Sequence, residues 1–181
     1  MSAQTTTQVA RVLIADDQTL FRSGLAGLLN DDKRVTVIGQ AADGAEAVKQ
    51  ASALKPDVVL MDIKMPNLDG VEATRQIAAE HPEIKILILT TFDADTYVLQ
   101  ALRAGASGYV LKDSQPQAIV SSILAVLSGE RVMASAVANR VLDMLNGTTT
   151  PKDFYNGLTA REIEILKLII PTLYAAKFRQ N

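Results

Sequence analysis

The sequence contains no cysteine in 181 residues, which removes disulfides, thiolate zinc sites and thiol nucleophiles together. Its single histidine, His81, stands before Pro82 where a helical pattern stops, and reads as a helix-terminus residue rather than a catalyst. No apolar run approaches the roughly 18–20 residues needed to cross a bilayer, so no membrane partner is expected. The opening MSAQTTTQVA has neither a charged nor an apolar signal-peptide segment. A net charge of −2 leaves no broad positive field for nucleic acid or anionic lipid. These absences point to a cytoplasmic protein of a reducing compartment. What is present, 48% hydrophobic and 21% charged residues, suits a globular chain able to bury a core. The length accommodates one full domain and a smaller piece.

Apolar runs alternate with helical patterns. RVLIAD, RVTVIGQA, DVVLMD, IKILILTT and SGYVLK read as strands. QTLFRSGLAGLLN follows the first and sets Leu20, Phe21, Leu25, Leu28 and Leu29 on one expected apolar stripe. GAEAVKQASAL ends at Lys55-Pro56, VEATRQIAAEH at Pro82, and ADTYVLQALRAG at Gly105. QPQAIVSSILAVLSG supplies a fifth helix. Five strand–helix units in about 120 residues imply an α/β fold with a parallel sheet covered on both faces.

In such a fold ligands bind where the carboxyl ends of the strands converge. Strand one ends in Asp16-Asp17, strand three in Asp62, strand four in Thr90-Thr91 and strand five in Lys112. Singly, each has an ordinary explanation: Asp17 as a helix cap, Thr90 for strand propensity, Lys112 as a solvated cation. Together, three acids at one edge repel and call for a cation. Mg²⁺, held by carboxylate oxygens and water, suits that need.

The motifs ADDQ, VVLMDIKMPNLDG, LTTFD and ALRAGASGYVLKD resemble the receiver domain of NarL/FixJ-type two-component response regulators. The resemblance runs from about residue 11 to 129 and implies a flavodoxin-like sheet of order 2-1-3-4-5. It also implies that Asp62 accepts a phosphoryl group from a sensor histidine kinase. Asp17, Asp62 and the backbone carbonyl of Lys64 would ligate Mg²⁺ directly, with Asp16 acting mostly through water. Lys112 would pair with a phosphoryl oxygen, Thr90 would be the switch hydroxyl and Tyr109 the switch aromatic. Thr91 sits where residue size governs water access. Pro66 and Asp69-Gly70 would shape the loop over the site, and Met61 reads as core.

Residues 1–10 read as a flexible start, 11–129 as the receiver, and 130–157 as a linker helix (ASAVANRVLDMLNG) and polar linker. In 158–181, LTAREIEILKLII opens with a capping box, Thr159 and Glu162, and resembles the first helix of a LuxR-type helix-turn-helix domain. That resemblance stops at Pro171, so the expectation is a truncated domain, promoter binding by an intact parent, and no specific DNA binding by this chain. A phosphorylation-linked dimer is a further expected partner. Two rivals stand beside this reading. A magnesium phosphohydrolase of similar topology would need paired acids two residues apart on strand one, whereas Asp16 and Asp17 are adjacent. A stand-alone interaction module would use the receiver without DNA.

Overall fold

A computed structural model describes residues 9–91, 95–133 and 138. The elements are β1 (Ala10–Ala15), α1 (Thr19–Asn30), β2 (Val35–Ala41), α2 (Gly44–Leu54), β3 (Val58–Asp62), α3 (Gly70–Glu80), β4 (Lys85–Thr90), α4 (Asp95–Arg103), β5 (Gly108–Leu111), α5 (Pro116–Leu127) and β6 (Val132–Met133). The strands pair in parallel in the order β2-β1-β3-β4-β5-β6. The flavodoxin-like order is thus present, with one addition. The two-residue β6, in register with Gly108 and Tyr109, was not anticipated, because two residues carry no readable period. The linker beyond residue 138 and the segment 158–181 lie outside the described residues.

Strand alternation sorts the core into two faces. Val12, Ile14, Val58, Leu60, Leu87, Leu89 and Val110 pack with α1 and α5. Leu13, Ala15, Val59, Met61, Ile86, Ile88 and Tyr109 pack with α2, α3 and α4. The expected apolar stripe of α1 divides. Leu25 and Leu29 are buried and Phe21 half-buried, but Leu20 is 91% and Leu28 52% exposed. At about 100° per residue, Leu20 lies roughly opposite the Leu25–Leu29 face, so it cannot share their packing.

Local chemistry sets the helix ends. Asp43 caps α2 by accepting from the Glu46 N–H at 2.8 Å, and Asp69 caps α3 by accepting from the Glu72 N–H at 2.9 Å. Lys55 ends α2 with a left-handed φ of 46° ahead of Pro56. At α1 the N-cap is Gln18, which makes no side-chain cap bond. The Asp16-Asp17 pair therefore stands beside a helix N-terminus without capping it.

Candidate phosphoacceptor and metal site

The order of the sheet makes the site. The chain leaves β1 to one side for β2 and returns on the other side as β3, so the carboxyl ends of β1 and β3 meet at the topological switch point. Asp16 and Asp17 follow β1 and Asp62 closes β3. One carboxylate oxygen from each of the three lies within 4.8 Å of the others. Asp16 is fully buried, Asp62 is 6% exposed and Asp17 opens to solvent.

Lys112, the first residue beyond β5, reaches into this cluster. Its Nζ lies 2.6 Å from Asp16 Oδ2 and 2.9 Å from Asp62 Oδ2. The Phe21 ring centroid stands 5.0 Å from the same nitrogen, near enough for a cation–π contact. Burial pushes the Asp62 carboxyl above the usual carboxylate range, and Asp16 adds to the push while Lys112 opposes it. Burial alone would lower the Lys112 ammonium, but Asp16 and Asp62 more than offset it and its pKa is raised. Both shifts describe a site with more negative charge than one ammonium comfortably balances.

The loop after β3 is braced from two sides. The Gly70 N–H donates to the Ile63 carbonyl at 2.8 Å, and a Cβ on Gly70 would fall 1.9 Å from the Asp62 carbonyl oxygen. No side chain fits between the start of α3 and the backbone of Asp62. Asn67, at φ 63°, donates from Nδ2 to Asp43 Oδ2 at 2.7 Å, tying the loop to the start of α2. The Leu68 N–H donates to the Pro66 carbonyl at 2.7 Å, Asp69-Gly70 opens α3, and Lys64 lies exposed within the loop, its carbonyl on the same segment as Asp62. Met61 is core.

The structure gathers Asp16, Asp17, Asp62 and Lys112. Thr90 ends β4 next door and is 3% exposed, but its hydroxyl donates to the Thr91 carbonyl at 3.0 Å. Tyr109 is fully buried, opposite Ile88 and Met133 in register. Alternation explains the separation: continued past the strands, it puts Asp16, Asp62 and Lys112 on the α1/α5 side, and Thr90 and Tyr109 on the α3/α4 side. Sequence reasoning missed Phe21 and Arg22 of α1. An Arg22 Nη donates to the Asp16 backbone carbonyl. The same alternation, carried one residue past each strand, would have pointed the charged trio at α1.

As a metal site the residues fit. The donors are hard oxygens from three carboxylates at close range, Asp17 leaves one side open to water, and the acidic cluster exceeds its internal counter-charge. The cluster could hold a cation.

Comparison with known proteins agrees with this geometry. The family model of the response regulator receiver domain matches residues 12–124. Transcriptional regulatory protein LiaR of Bacillus subtilis (strain 168) is 43% identical over 159 residues, 88% of this chain and 75% of LiaR. Response regulator UvrY of Escherichia coli O157:H7 is 40% identical over 159 residues, 87% of this chain and 72% of UvrY. The crystal structure of a LuxR-family two-component response regulator from Aurantimonas sp. SI85-9A1 superposes with a TM-score of 0.71 at 36% identity, covering 76% of this chain and 98% of that one. Among the described residues no helix is long and apolar enough to cross a membrane. On these grounds the chain belongs to the response regulator receiver family and is a two-component response regulator.

Proposed function

We propose that Asp62 is the phosphoacceptor, charged by a sensor histidine kinase in the cytoplasm, and that the phosphoryl group switches the chain toward transcriptional control. The observation that carries the assignment is Lys112 Nζ lying between Asp16 and Asp62. The Asp62 carboxylate attacks the phosphorus of a phosphohistidine; the P–N bond breaks, its electron pair leaves with the imidazole, and an acyl phosphate forms. Lys112 keeps its proton and follows a phosphoryl oxygen as a movable point charge. Asp17, Asp62 and the Lys64 carbonyl would hold Mg²⁺, with Asp16 bound mostly through water. Bound there, Mg²⁺ supplies the positive charge that lets a carboxylate and a phosphoryl group meet.

Thr90 then exchanges the Thr91 carbonyl for a phosphoryl oxygen, and Tyr109 packs behind it, altering self-association. The relatives are named as transcriptional regulators and response regulators, which supports promoter DNA as the partner of an intact parent. Residues 158–170 resemble only the first helix of a helix-turn-helix domain, and specific DNA binding by this chain is not expected. The receiver, assigned to 11–129, accepts one phosphoryl group and is not a turnover enzyme in this reading. Intact-mass measurement with acetyl phosphate tests it. Wild type should gain one phosphoryl group with Mg²⁺ and none without, and Asp62→Asn should gain none. Equal labelling of both proteins would remove Asp62 as the acceptor.

A further inference from the structure

Arg22 sits on α1, and its side chain folds back along the helix to the backbone carbonyl of Asp16. The residue is half-buried, and its Nε is buried without a hydrogen-bond partner among the described residues. A long arginine can ordinarily carry its head into water and satisfy every donor. Here it forgoes one bond and stays over one carbonyl.

That carbonyl is the last free group of Asp16. The Asp16 N–H donates to the Ala41 carbonyl at 3.0 Å. Its Oδ1 accepts from the Gln18 N–H at 2.8 Å, and its Oδ2 faces Lys112 at 2.6 Å. The carbonyl belongs to the peptide unit joining Asp16 to Asp17, so fixing it fixes the direction in which Asp17 leaves the backbone. Asp17 needs that help. It is exposed and does not cap α1, for which Gln18 is the N-cap.

We propose that Arg22 is a positioning residue for the cation site: by holding the Asp16–Asp17 peptide it aims the Asp17 carboxylate at a metal shared with Asp62. The proposal rests on the assignment of Asp17 as a metal ligand made above. It differs from a role through charge alone. A guanidinium near three acids repels an incoming cation, so charge alone makes Arg22 a cost to metal binding, whereas tethering makes it a benefit.

Titration calorimetry with Mg²⁺ separates the two. Arg22→Lys keeps the charge and loses the planar fork, and should weaken Mg²⁺ binding about ten-fold, as loss of a group that orients a metal ligand does. Arg22→Gln loses fork and charge; under tethering it also binds more weakly, under charge alone more tightly. In the metal-free protein the Asp17 amide resonance, which reports on the tethered peptide, should move in both variants. Starting from Asp17→Asn, adding Arg22→Lys should cost nothing further. Thermal melts identify a variant that fails to fold, and the other is then read alone. Wild-type binding with Arg22→Lys equally tight, or Arg22→Gln tighter, overturns the proposal by itself. A wild type that binds no Mg²⁺ overturns the metal assignment and this proposal with it.

Discussion

At the amino end of the sheet, Asp32 precedes β2 and meets Arg34 in the open. The Arg34 Nη2 lies 2.7 Å from Asp32 Oδ2, while its Nε and N–H each donate to Oδ1 at 2.9 Å. That fork holds the Asp32 carboxyl down at about 2. Nearby, Asp57 accepts the Arg11 N–H at 2.7 Å, and the Arg11 guanidinium spans the Leu54 and Lys55 carbonyls that end α2. At the carboxyl end the same residue types meet under opposite terms. Asp62 is buried, crowded by Asp16, and its carboxyl is pushed up rather than down. One end pairs Asp32 and Asp57 with donors; the other leaves acids in excess over a single buried lysine. The excess at the carboxyl end is what a cation or a phosphoryl–cation pair would relieve, so the contrast separates structural charge from charge kept for chemistry.

The strongest way to break that contrast is to remove the lysine. Lys112→Met leaves Asp16 and Asp62 buried without a counter-charge, and should destabilise the metal-free protein by about 3–5 kcal/mol at pH 7. The loss should shrink toward pH 5. Asp62, whose folded pKa is raised, costs stability progressively as pH climbs from the ordinary carboxylate value of about 3.9 to the higher folded one, and its protonated form tolerates a missing ammonium. Mg²⁺ should restore part of the loss. In wild type, the raised pKa of Lys112 means that its contribution is complete below the ordinary lysine value of about 10.4 and fades as pH rises through the higher folded one. Denaturant melts at pH 5 and 8, with and without Mg²⁺, measure this. A pH-independent and Mg²⁺-independent loss would assign Lys112 to packing.

A smaller effect is expected at Gly70, where the contrast depends on backbone rather than charge. A Cβ there would lie 1.9 Å from the Asp62 carbonyl oxygen and 3.0 Å from the Ile63 Cα, so either α3 or β3 must shift. Gly70→Ala should cost about 1–3 kcal/mol, as overpacking does, and should also slow phosphorylation because the strain bears on Asp62 itself. Melting and acetyl phosphate labelling on one sample would show it; a destabilised protein labelled at the wild-type rate would uncouple the helix start from the acceptor.

The parts of this site that were legible in the sequence are those set by periods and punctuation. Strands ending in Asp16-Asp17, Asp62, Thr90 and Lys112 located the edge, and Lys55-Pro56 and Pro82 located helix ends, because a missing N–H or a left-handed residue acts locally. What α1 contributes was not legible. Phe21 packs against the core as an apolar stripe implies, but its contact with a lysine far along the sequence is invisible to helical periodicity, and Leu20 on the same expected stripe points to solvent. Arg22 carried no signal, since an arginine beside an apolar stripe looks like any solvated charge until the fold sets a carbonyl beneath it. β6 escaped for want of length. Its Met133 lies in register with Tyr109, so the strand carrying the proposed switch aromatic is also the one the chain rejoins after α5.

The smallest expected effect is also the control. Asp32→Asn removes the charge from the most depressed carboxyl among the described residues for which a shift is resolved, yet the pair it breaks stands beside solvent, with Arg34 49% exposed. Exposed pairs contribute little, because water screens them and ordering two side chains consumes most of the gain. Asp32→Asn should therefore leave the melting temperature at pH 7 essentially unchanged, with phosphoryl labelling at the wild-type rate. Any small difference should be present near neutral pH and vanish in acid. A depressed folded pKa contributes stability above the ordinary carboxylate value of about 3.9 and loses it as pH falls toward about 2. Wild type and variant should therefore converge across that window. Thermal melts between pH 2 and 7 would check this, and a variant clearly less stable at neutral pH would mean that the amino end of the sheet also depends on its charges.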